Sequence, residues 1–206
     1  MTSLKTTDPT VFRNFARRIH RTSAFVLLSF IFFHLINHLA GVAGADVHIS
    51  VMKSLRTVYR FAPVEALLLM SCLVQITSGL YVAWSARSQK GRVVKLQIIS
   101  GLYLGLFLVN HVGAVLLGRF SWNVETDFHF AAWGVKNYPA MIFFIPYYGL
   151  SIIALFTHVA CVHYNKMVKL HVGHTPPYRR VRIQAGSIVI VGVVLAATVI
   201  TMMMRN

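Results

Sequence analysis

The sequence predicts an all-α integral membrane protein, a bundle of five transmembrane helices with its N-terminus in the cytoplasm. Of the 206 residues, 56% are hydrophobic and only 12% are charged, a composition too apolar for the surface of a soluble protein. Five apolar stretches are long enough to cross a hydrocarbon core of about 30 Å, which takes roughly 20 residues. They lie near residues 22–43, 64–86, 96–118, 140–163 and 185–204. Little of the chain remains outside them, so residues 1–206 are predicted to form a single membrane domain.

Residue patterns at the first, second and last spans also predict local structure. Phe12, Phe15 and Ile19 are spaced for one helical face, which predicts a short interfacial helix before the first span. Pro63 stands at the start of the second span, where a missing backbone donor costs little. The last span contains no ionisable residue between Gly186 and Met204 and is predicted to serve packing.

The formal net charge of +15 is distributed unevenly. Positive residues concentrate before the first span, after the second and after the fourth, whereas the other loops carry fewer and also contain acidic residues. Because Lys and Arg in short loops stay on the cytoplasmic side, this bias predicts that the N-terminus lies in the cytoplasm. The basic rim is expected to contact anionic lipid headgroups or an acidic partner, rather than nucleic acid. The concentrated residues are Lys5, Arg13, Arg17, Arg18 and Arg21, then Arg87, Lys90, Arg92 and Lys95, then Lys166, Lys169, Arg179, Arg180 and Arg182.

Two spans share a serine-to-histidine spacing. Ser23 precedes His34 by eleven residues in the first span, and Ser100 precedes His111 by eleven in the third. Eleven residues rise roughly 16 Å, and both helices run outward, so the two imidazoles are predicted to lie at one depth in the outer half of the membrane. An ionisable residue inside a span usually faces the bundle interior and marks a functional site.

Facing imidazoles in a bundle core suit iron, so we predict that His34 and His111 hold haem b between them. The small residues Ser23, Ser100 and Gly101 are expected to let a flat macrocycle approach the backbone. For any one histidine alone, a hydrogen bond to a carbonyl of a neighbouring helix is the alternative interpretation.

Zinc is a second possibility in chemical terms, but only His38 lies near the same depth as a further ligand. His38 is itself a candidate for a quinone site, for a haem propionate or for water.

A second level is predicted in the inner half of the membrane. Gln75 lies six residues before Tyr81 and His158 lies six before Tyr164, which predicts a common depth for Gln75 and His158.

The ordered histidines carry a family resemblance. The chain contains, in order, Arg17-Arg18-Ile19-His20, Phe33-His34-Leu35, Val109-Asn110-His111 and Phe156-Thr157-His158. This set resembles the cytochrome b membrane subunit of succinate dehydrogenase and fumarate reductase in its five-helix, two-haem form. The stretch His34-Leu35-Ile36-Asn37-His38 is also similar to the haem-type membrane anchor of some bacterial adenylate cyclases. The resemblance extends from about residue 12 to the last span.

The resemblance implies two haems, each held by two histidines. Its outer ligands correspond to His34 and His111, and His158 corresponds to one inner ligand. Gln75 stands where the other inner ligand is expected. The inner site is then empty, holds a five-coordinate haem on His158, or takes a replacement ligand, for which His20 and His163 are the candidates.

Each of the charged residues near the predicted haem sites has two interpretations. Arg17 and Arg18 are candidates for neutralising haem propionates, or they determine topology alone. An acidic residue in the region of Glu65 handles protons at a menaquinone site in the resembling subunits. Glu65 is expected either to do the same or to form a surface ion pair with Arg60.

The resemblance implies an electron-transfer subunit that anchors a cytoplasmic flavoprotein and iron–sulfur dehydrogenase and links it to menaquinone or ubiquinone. The chain has neither a glycine-rich nucleotide fingerprint nor a cysteine cluster, so dehydrogenase catalysis is assigned to another polypeptide. One alternative is a redox, quinone or gas sensor that binds haem, isolated as a homo-oligomer. Another is a structural membrane protein or transporter whose histidines bind no cofactor.

Overall fold

The computed structural model describes residues 9–170 and 177–205, and all of the regular structure within them is helical. Seven α-helices follow one another, with a 3-10 turn at Gly41–Ala43 after the first. They are α1 (Pro9–Ala40), α2 (Ala45–Tyr59), α3 (Ala62–Ala86), α4 (Arg92–Phe120), α5 (Phe128–Lys136), α6 (Met141–Leu170) and α7 (Tyr178–Arg205).

The prediction of five membrane-spanning helices is confirmed. α1, α3, α4, α6 and α7 are each long and apolar enough to cross a membrane, so the chain is a multi-pass membrane protein. α3 begins with Pro63 in its first turn, as predicted. The separate interfacial helix is wrong, because α1 runs without a break from Pro9 into the first span. Residues 1–8, which include the predicted basic residue Lys5, lie outside the described residues.

Large apolar side chains cover the outside of the bundle. Phe25 is 75% exposed and Ile190 is 64% exposed, and each lies in the middle of its span. A water-soluble protein rarely leaves apolar surface of this extent uncovered. The outer face of the bundle is therefore the face that contacts lipid.

Successive spans pack side by side in alternating directions. α3 lies between α1 and α4, α6 packs on α4, and α7 packs mainly on α6. α1 and α4 are not direct neighbours, since no Cα atom of one lies within 8 Å of the other among the described residues. The two helices therefore face each other across the bundle interior.

Two short helices, absent from the sequence prediction, cover one end of the bundle. α2 packs against α1 and α3, and α5 packs against α6 and α7. Asp127 starts α5, because its Oδ1 accepts hydrogen bonds from the N–H groups of His129 (2.9 Å) and Phe130 (3.2 Å). Phe128 and Val135 are fully buried beneath α5. We call this end the cap end.

The opposite end holds residues 87–91 between α3 and α4, together with the first turns of α1 and α7 and the last turns of α6; we call it the basic end. Those of the grouped positive residues that the structure describes gather here. Acidic residues in the described chain lie instead at the cap end, namely Asp46, Glu65, Glu125 and Asp127. The predicted orientation places the basic end in the cytoplasm.

The contact between α6 and α7 leads to a testable prediction. A Cβ added to Gly192 would lie 2.5 Å from Cβ of Phe156, an atom that cannot rotate away. Gly192→Ala is therefore expected to force the helices apart and to lower the free energy of unfolding by about 2 kcal/mol. Gly186→Ala on the same helix meets nothing within 4 Å and is the control. Thermal unfolding in detergent measures both, and equal stability of the two variants would contradict the prediction.

Candidate functional site

His34 of α1 and His111 of α4 meet inside the bundle, towards the cap end. Their ring centres lie 6.0 Å apart, with the ring planes at 67°. The level predicted from the eleven-residue spacing is therefore the level observed. We call His34 and His111 the cap-side pair.

Each imidazole of the cap-side pair is backed by an aromatic ring one helical turn earlier. Phe30 stacks on His34 with ring centres 5.5 Å apart, and Phe107 stacks on His111 at 5.0 Å; both stacks are within 15° of parallel. The repeated Phe-x-x-x-His spacing, a signal that the sequence-based prediction did not include, is readable from the sequence. Stacking of this kind restricts the rotation of both rings and holds them in defined orientations.

The cap-side pair has a separation compatible with two axial ligands of one iron. With metal–imidazole bonds of about 2.1 Å, as at zinc sites, two ligating rings have centres roughly 6 to 6.5 Å apart. The neighbouring His38 competes for one ligand atom, because its Nε2 lies 3.3 Å from Nε2 of His34. Ligation through the His34 Nε2 therefore requires this hydrogen bond to open.

A polar cluster extends from His34 towards the cap end. It consists of Asn37, His38 and His48, and Nδ2 of Asn37 lies 3.2 Å from Nε2 of His48. His48 packs on Phe128 and approaches His38, with ring centres 5.2 and 5.4 Å away. Three buried atoms of the cluster have no hydrogen-bond partner among the described residues: Asn37 Oδ1, His38 Nδ1 and His48 Nδ1.

Burial is the main cause that lowers the pKa of His48; nearby Asp127 acts in the opposite direction, and Arg56 lowers it further. His48 is therefore neutral at neutral pH and is able both to donate and to accept a hydrogen bond.

The predicted ion pair between Glu65 and Arg60 is wrong. Glu65 of α3 pairs with Arg119 of α4, and both side chains are largely buried, with 25% and 20% exposed. Arg60 is exposed and directs its guanidinium towards Oγ1 of Thr126 at 3.5 Å. Burial, then the neighbouring Arg56 and Arg119, lower the pKa of Arg60. Glu65 thus joins two spans at the cap end.

Gln75 belongs to a hydrogen-bonded group nearer the basic end. Its Oε1 accepts from Ser23 Oγ at 2.6 Å, and its Nε2 donates to Nε2 of His20 at 3.2 Å. The other nitrogen of His20, Nδ1, lies 3.0 Å from Oγ of Ser78. Ser78 Oγ donates to the carbonyl of Val74, so Nδ1–H of His20 is the donor to Ser78.

His158 is held in a similar way on the other side of the bundle. Its Nδ1 lies 3.0 Å from the carbonyl oxygen of Gln97, to which Nδ1–H donates, and 3.3 Å from Ser100 Oγ. The ring covers Gly101, where an added Cβ would lie 2.9 Å from Cε1 of His158.

The expected role of the small residues therefore needs correction. Ser23, Ser100 and Gly101 support Gln75 and His158 near the basic end and lie about 16 Å along the helix axes from the cap-side pair. The eleven-residue spacing that predicted their depth also separates them from His34 and His111.

The supports of His20 and His158 are two copies of one short sequence. Residues 75–81 read Gln-Ile-Thr-Ser-Gly-Leu-Tyr, and residues 97–103 read Gln-Ile-Ile-Ser-Gly-Leu-Tyr. We call these segments the QIxSGLY repeats. The sequence contains this signal in full, but the sequence-based prediction did not include it.

The other residues predicted for the site lie away from the cap-side pair. Arg17 is half-buried and Arg18 is exposed, both within one turn of His20 and roughly 25 Å along α1 from His34. They are therefore placed near the basic end rather than beside the cap-side pair. His163 Nε2 lies 3.2 Å from Oε1 of Gln184 on α7, which directs it away from His158.

The described part of the chain offers few ligands for a metal ion. In the described part of the chain, no group of three or more His, Cys, Asp or Glu side chains is arranged to hold a metal ion. A structural zinc site takes four ligands and has no support here, whereas haem iron needs only axial ligands from the protein. No protein family, curated protein or solved structure matches the chain.

Proposed function

We propose that the chain is a membrane anchor and electron-transfer subunit that binds haem b between His34 and His111 and links a cytoplasmic dehydrogenase to membrane quinone. The observation that carries the proposal is the cap-side pair, two half-buried imidazoles from non-adjacent spans, 6.0 Å apart and each stacked on its own phenylalanine. The family resemblance of the ordered histidines further implies that the dehydrogenase is of the succinate or fumarate type and that the membrane is a bacterial inner membrane.

The residues of the cap-side pair would hold the haem as follows. His34 and His111 would hold the haem iron through their ring nitrogens, while Phe30 and Phe107 fix the planes of the imidazoles. The surrounding spans exclude water and keep the local dielectric constant low, which tunes the potential of a bound group. When bound, haem supplies one-electron transfer.

The polar cluster of Asn37, His38 and His48 supports a quinone site beside the cap-side pair. Its three unpartnered buried atoms include an amide oxygen, which needs a donor, and imidazole nitrogens, which accept or donate according to tautomer. A quinol headgroup carries hydroxyl donors, and the quinone that it forms carries carbonyl acceptors. Menaquinone and ubiquinone both have this chemistry.

The basic end supports docking of the dehydrogenase. Its positive side chains come from α1, the α3–α4 connection, α6 and the start of α7, and they make one face of the molecule strongly cationic. Such a face attracts anionic lipid headgroups and an acidic protein surface.

A reduced-minus-oxidised visible spectrum of the purified protein tests the proposal. We expect b-type haem bands and co-purification of flavin- and iron–sulfur-containing subunits from the native membrane. A preparation that is folded by circular dichroism but shows no b-type bands after haem supplementation would disprove the cofactor assignment. Haem bands in a homo-oligomer without those subunits would favour the sensor instead.

His38→Phe separates the quinone contact from haem ligation. The variant is expected to retain the haem spectrum while reduction of the haem by added quinol slows about tenfold, the effect of losing roughly 1.4 kcal/mol of hydrogen bonding. Stopped-flow absorbance measures the rate. His129→Phe alters an exposed histidine of α5 and is the control. Unchanged quinol reduction in His38→Phe would remove His38 from the quinone site.

A further inference from the structure

We propose that a groove between α4 and α7, on the surface of α6, binds one anionic phospholipid, with an acyl chain along the groove and the phosphate on Arg182. The groove has a volume of about 280 Å³, and its lining comes from residues 93–96, 157–164 and 182–189. We call it the α4–α7 groove. The inference does not depend on haem. It goes beyond the general attraction of headgroups to the basic end, because it assigns one lipid to one site.

The packing of three helices creates the α4–α7 groove. α4 and α7 both pack on α6, but no Cα atom of α4 lies within 8 Å of one of α7 among the described residues. A face of α6 is therefore left between them and forms the floor of the groove. Its residues recur at intervals of three and four, as on one side of a helix. They are Thr157, Ala160, Cys161 and Tyr164.

Gly186 keeps the groove open on the side of α7. A Cβ added to this glycine would meet nothing within 4 Å, whereas one added to Gly192 would lie 2.5 Å from Cβ of Phe156 on α6. α7 thus packs tightly on α6 at Gly192 and leaves free space at Gly186, which is nearer the basic end. Val93 and Leu96 of α4 line the opposite side. An open, mainly apolar space of this kind suits a hydrocarbon chain.

The groove is polar at one end, in the same order as a phospholipid. α7 starts at the basic end, so Arg182 precedes the apolar wall residues Ala185 and Val189. α6 finishes at the basic end, which places Tyr164 beside the same mouth. An arginine can lay its apolar stem along such a surface while its guanidinium reaches the headgroup level. The phosphate of a lipid is therefore expected at this mouth, with its acyl chain directed inward.

The charge of Arg182 has no counter-charge within the described part of the chain. Both ion pairs found there, made by Arg56 and by Arg119, lie at the cap end. The Arg182 side chain is exposed, and neither its guanidinium nor the hydroxyl of Tyr164 has a hydrogen-bond partner among residues 9–170 and 177–205. A guanidinium binds a phosphate through two parallel hydrogen bonds. An anionic headgroup thus supplies what the protein leaves unpaired.

Native mass spectrometry of the purified full chain tests the inference. The probes are phosphatidylglycerol and phosphatidylcholine with identical acyl chains, added separately to protein in detergent. We expect one tightly bound phosphatidylglycerol per chain and at least about tenfold weaker binding of phosphatidylcholine, whose choline compensates the phosphate, as for the loss of one charge-assisted contact. Equal binding of the two lipids would overturn the proposal.

Replacement of Arg182 tests the headgroup contact. Arg182→Gln is expected to lower the affinity for phosphatidylglycerol about tenfold and to leave that for phosphatidylcholine unchanged. Arg180→Gln removes the same charge from an exposed residue outside the groove and is the control. It should lower the affinity by no more than about threefold, because solvent and salt screen a charge that does not contact the lipid. Equal effects of the two variants would indicate general attraction to the basic end and would overturn the site.

Replacement of Gly186 tests the position of the acyl chain. Gly186→Leu fills the groove and is expected to lower the affinity for phosphatidylglycerol at least about fivefold, because the chain loses apolar contact with α6. Ser187→Leu adds the same side chain at an exposed neighbour whose hydroxyl bonds back to the carbonyl of Ile183, and it should retain the lipid. Circular dichroism shows that both variants are folded. Full lipid binding by folded Gly186→Leu would place the acyl chain outside the groove and contradict the proposal.

The lipid measurements and the haem measurements fail separately. A chain that shows b-type haem bands but no preference for phosphatidylglycerol overturns the α4–α7 groove and leaves the proposed function intact. Lipid binding that depends on Gly186 but not on Arg182 overturns the anionic headgroup. Selective binding of phosphatidylglycerol that needs both residues, in a chain without haem, supports the groove and overturns the proposed function alone.

Discussion

Replacing His111 by alanine is expected to remove the low-spin haem signal of the cap-side pair almost completely. In the proposed function this imidazole would be one of the two protein ligands of the haem, and α4 offers no replacement, since His111 is the only histidine in that helix. Low-temperature reduced-minus-oxidised spectra and electron paramagnetic resonance measure the loss directly.

Two comparisons make the His111 result specific. Asn110→Ala changes the neighbouring residue, which is exposed and bonds back to Leu106 of its own helix, and it should leave the spectrum unchanged. His34→Ala should reproduce the loss seen in His111→Ala. Full retention of the low-spin signal in His111→Ala would refute the ligand assignment, and retention in His34→Ala with loss in His38→Ala would move the ligand to His38.

Glu65→Gln is expected to lower the free energy of unfolding by about 3 kcal/mol, because it leaves Arg119 largely buried without its counter-charge. The pair joins α3 to α4 at the cap end, so the loss should also loosen the contact between these helices. Chemical or thermal unfolding in detergent, followed by circular dichroism, measures the change.

A second ion pair at the same end provides the control for Glu65→Gln. Arg56 pairs with Glu125 at 3.1 Å, but the Glu125 side chain is 75% exposed. Glu125→Gln is therefore expected to cost less than about 1 kcal/mol. The double replacement Glu65→Gln with Arg119→Gln should recover part of the lost stability, because it removes the unpaired charge as well. Equal effects of Glu65→Gln and Glu125→Gln would show that burial of the Glu65 pair has no energetic importance.

The two short helices at the cap end, α2 and α5, were not predicted from the sequence. α2 and α5 have 15 and 9 residues, too few to cross a bilayer, and both mix polar and apolar side chains. A search for long apolar stretches does not detect such helices. Their stability comes from burial against the spans, as for Phe128 and Val135, which is a tertiary effect.

The candidate site was predictable to the extent that it depends on distance along a helix. The rise per residue is constant, so the level of His34 and His111 follows from the spacing to Ser23 and Ser100. The identity of side-chain partners does not follow from it. Gln75 was expected to mark a missing ligand, and it proved to be the hydrogen-bond partner of His20, 55 residues away.

The amino-acid sequence by itself determined the five spans, the cationic end and the depth of the histidines, because length, hydropathy and charge act through the bilayer on each helix separately. Only the tertiary structure decided that Glu65 pairs with Arg119 rather than Arg60 and that the QIxSGLY repeats cradle His20 and His158. These contacts depend on the rotation of each helix about its axis and on which helices are neighbours. Both are set by the packing of side chains between helices, which no single helix specifies.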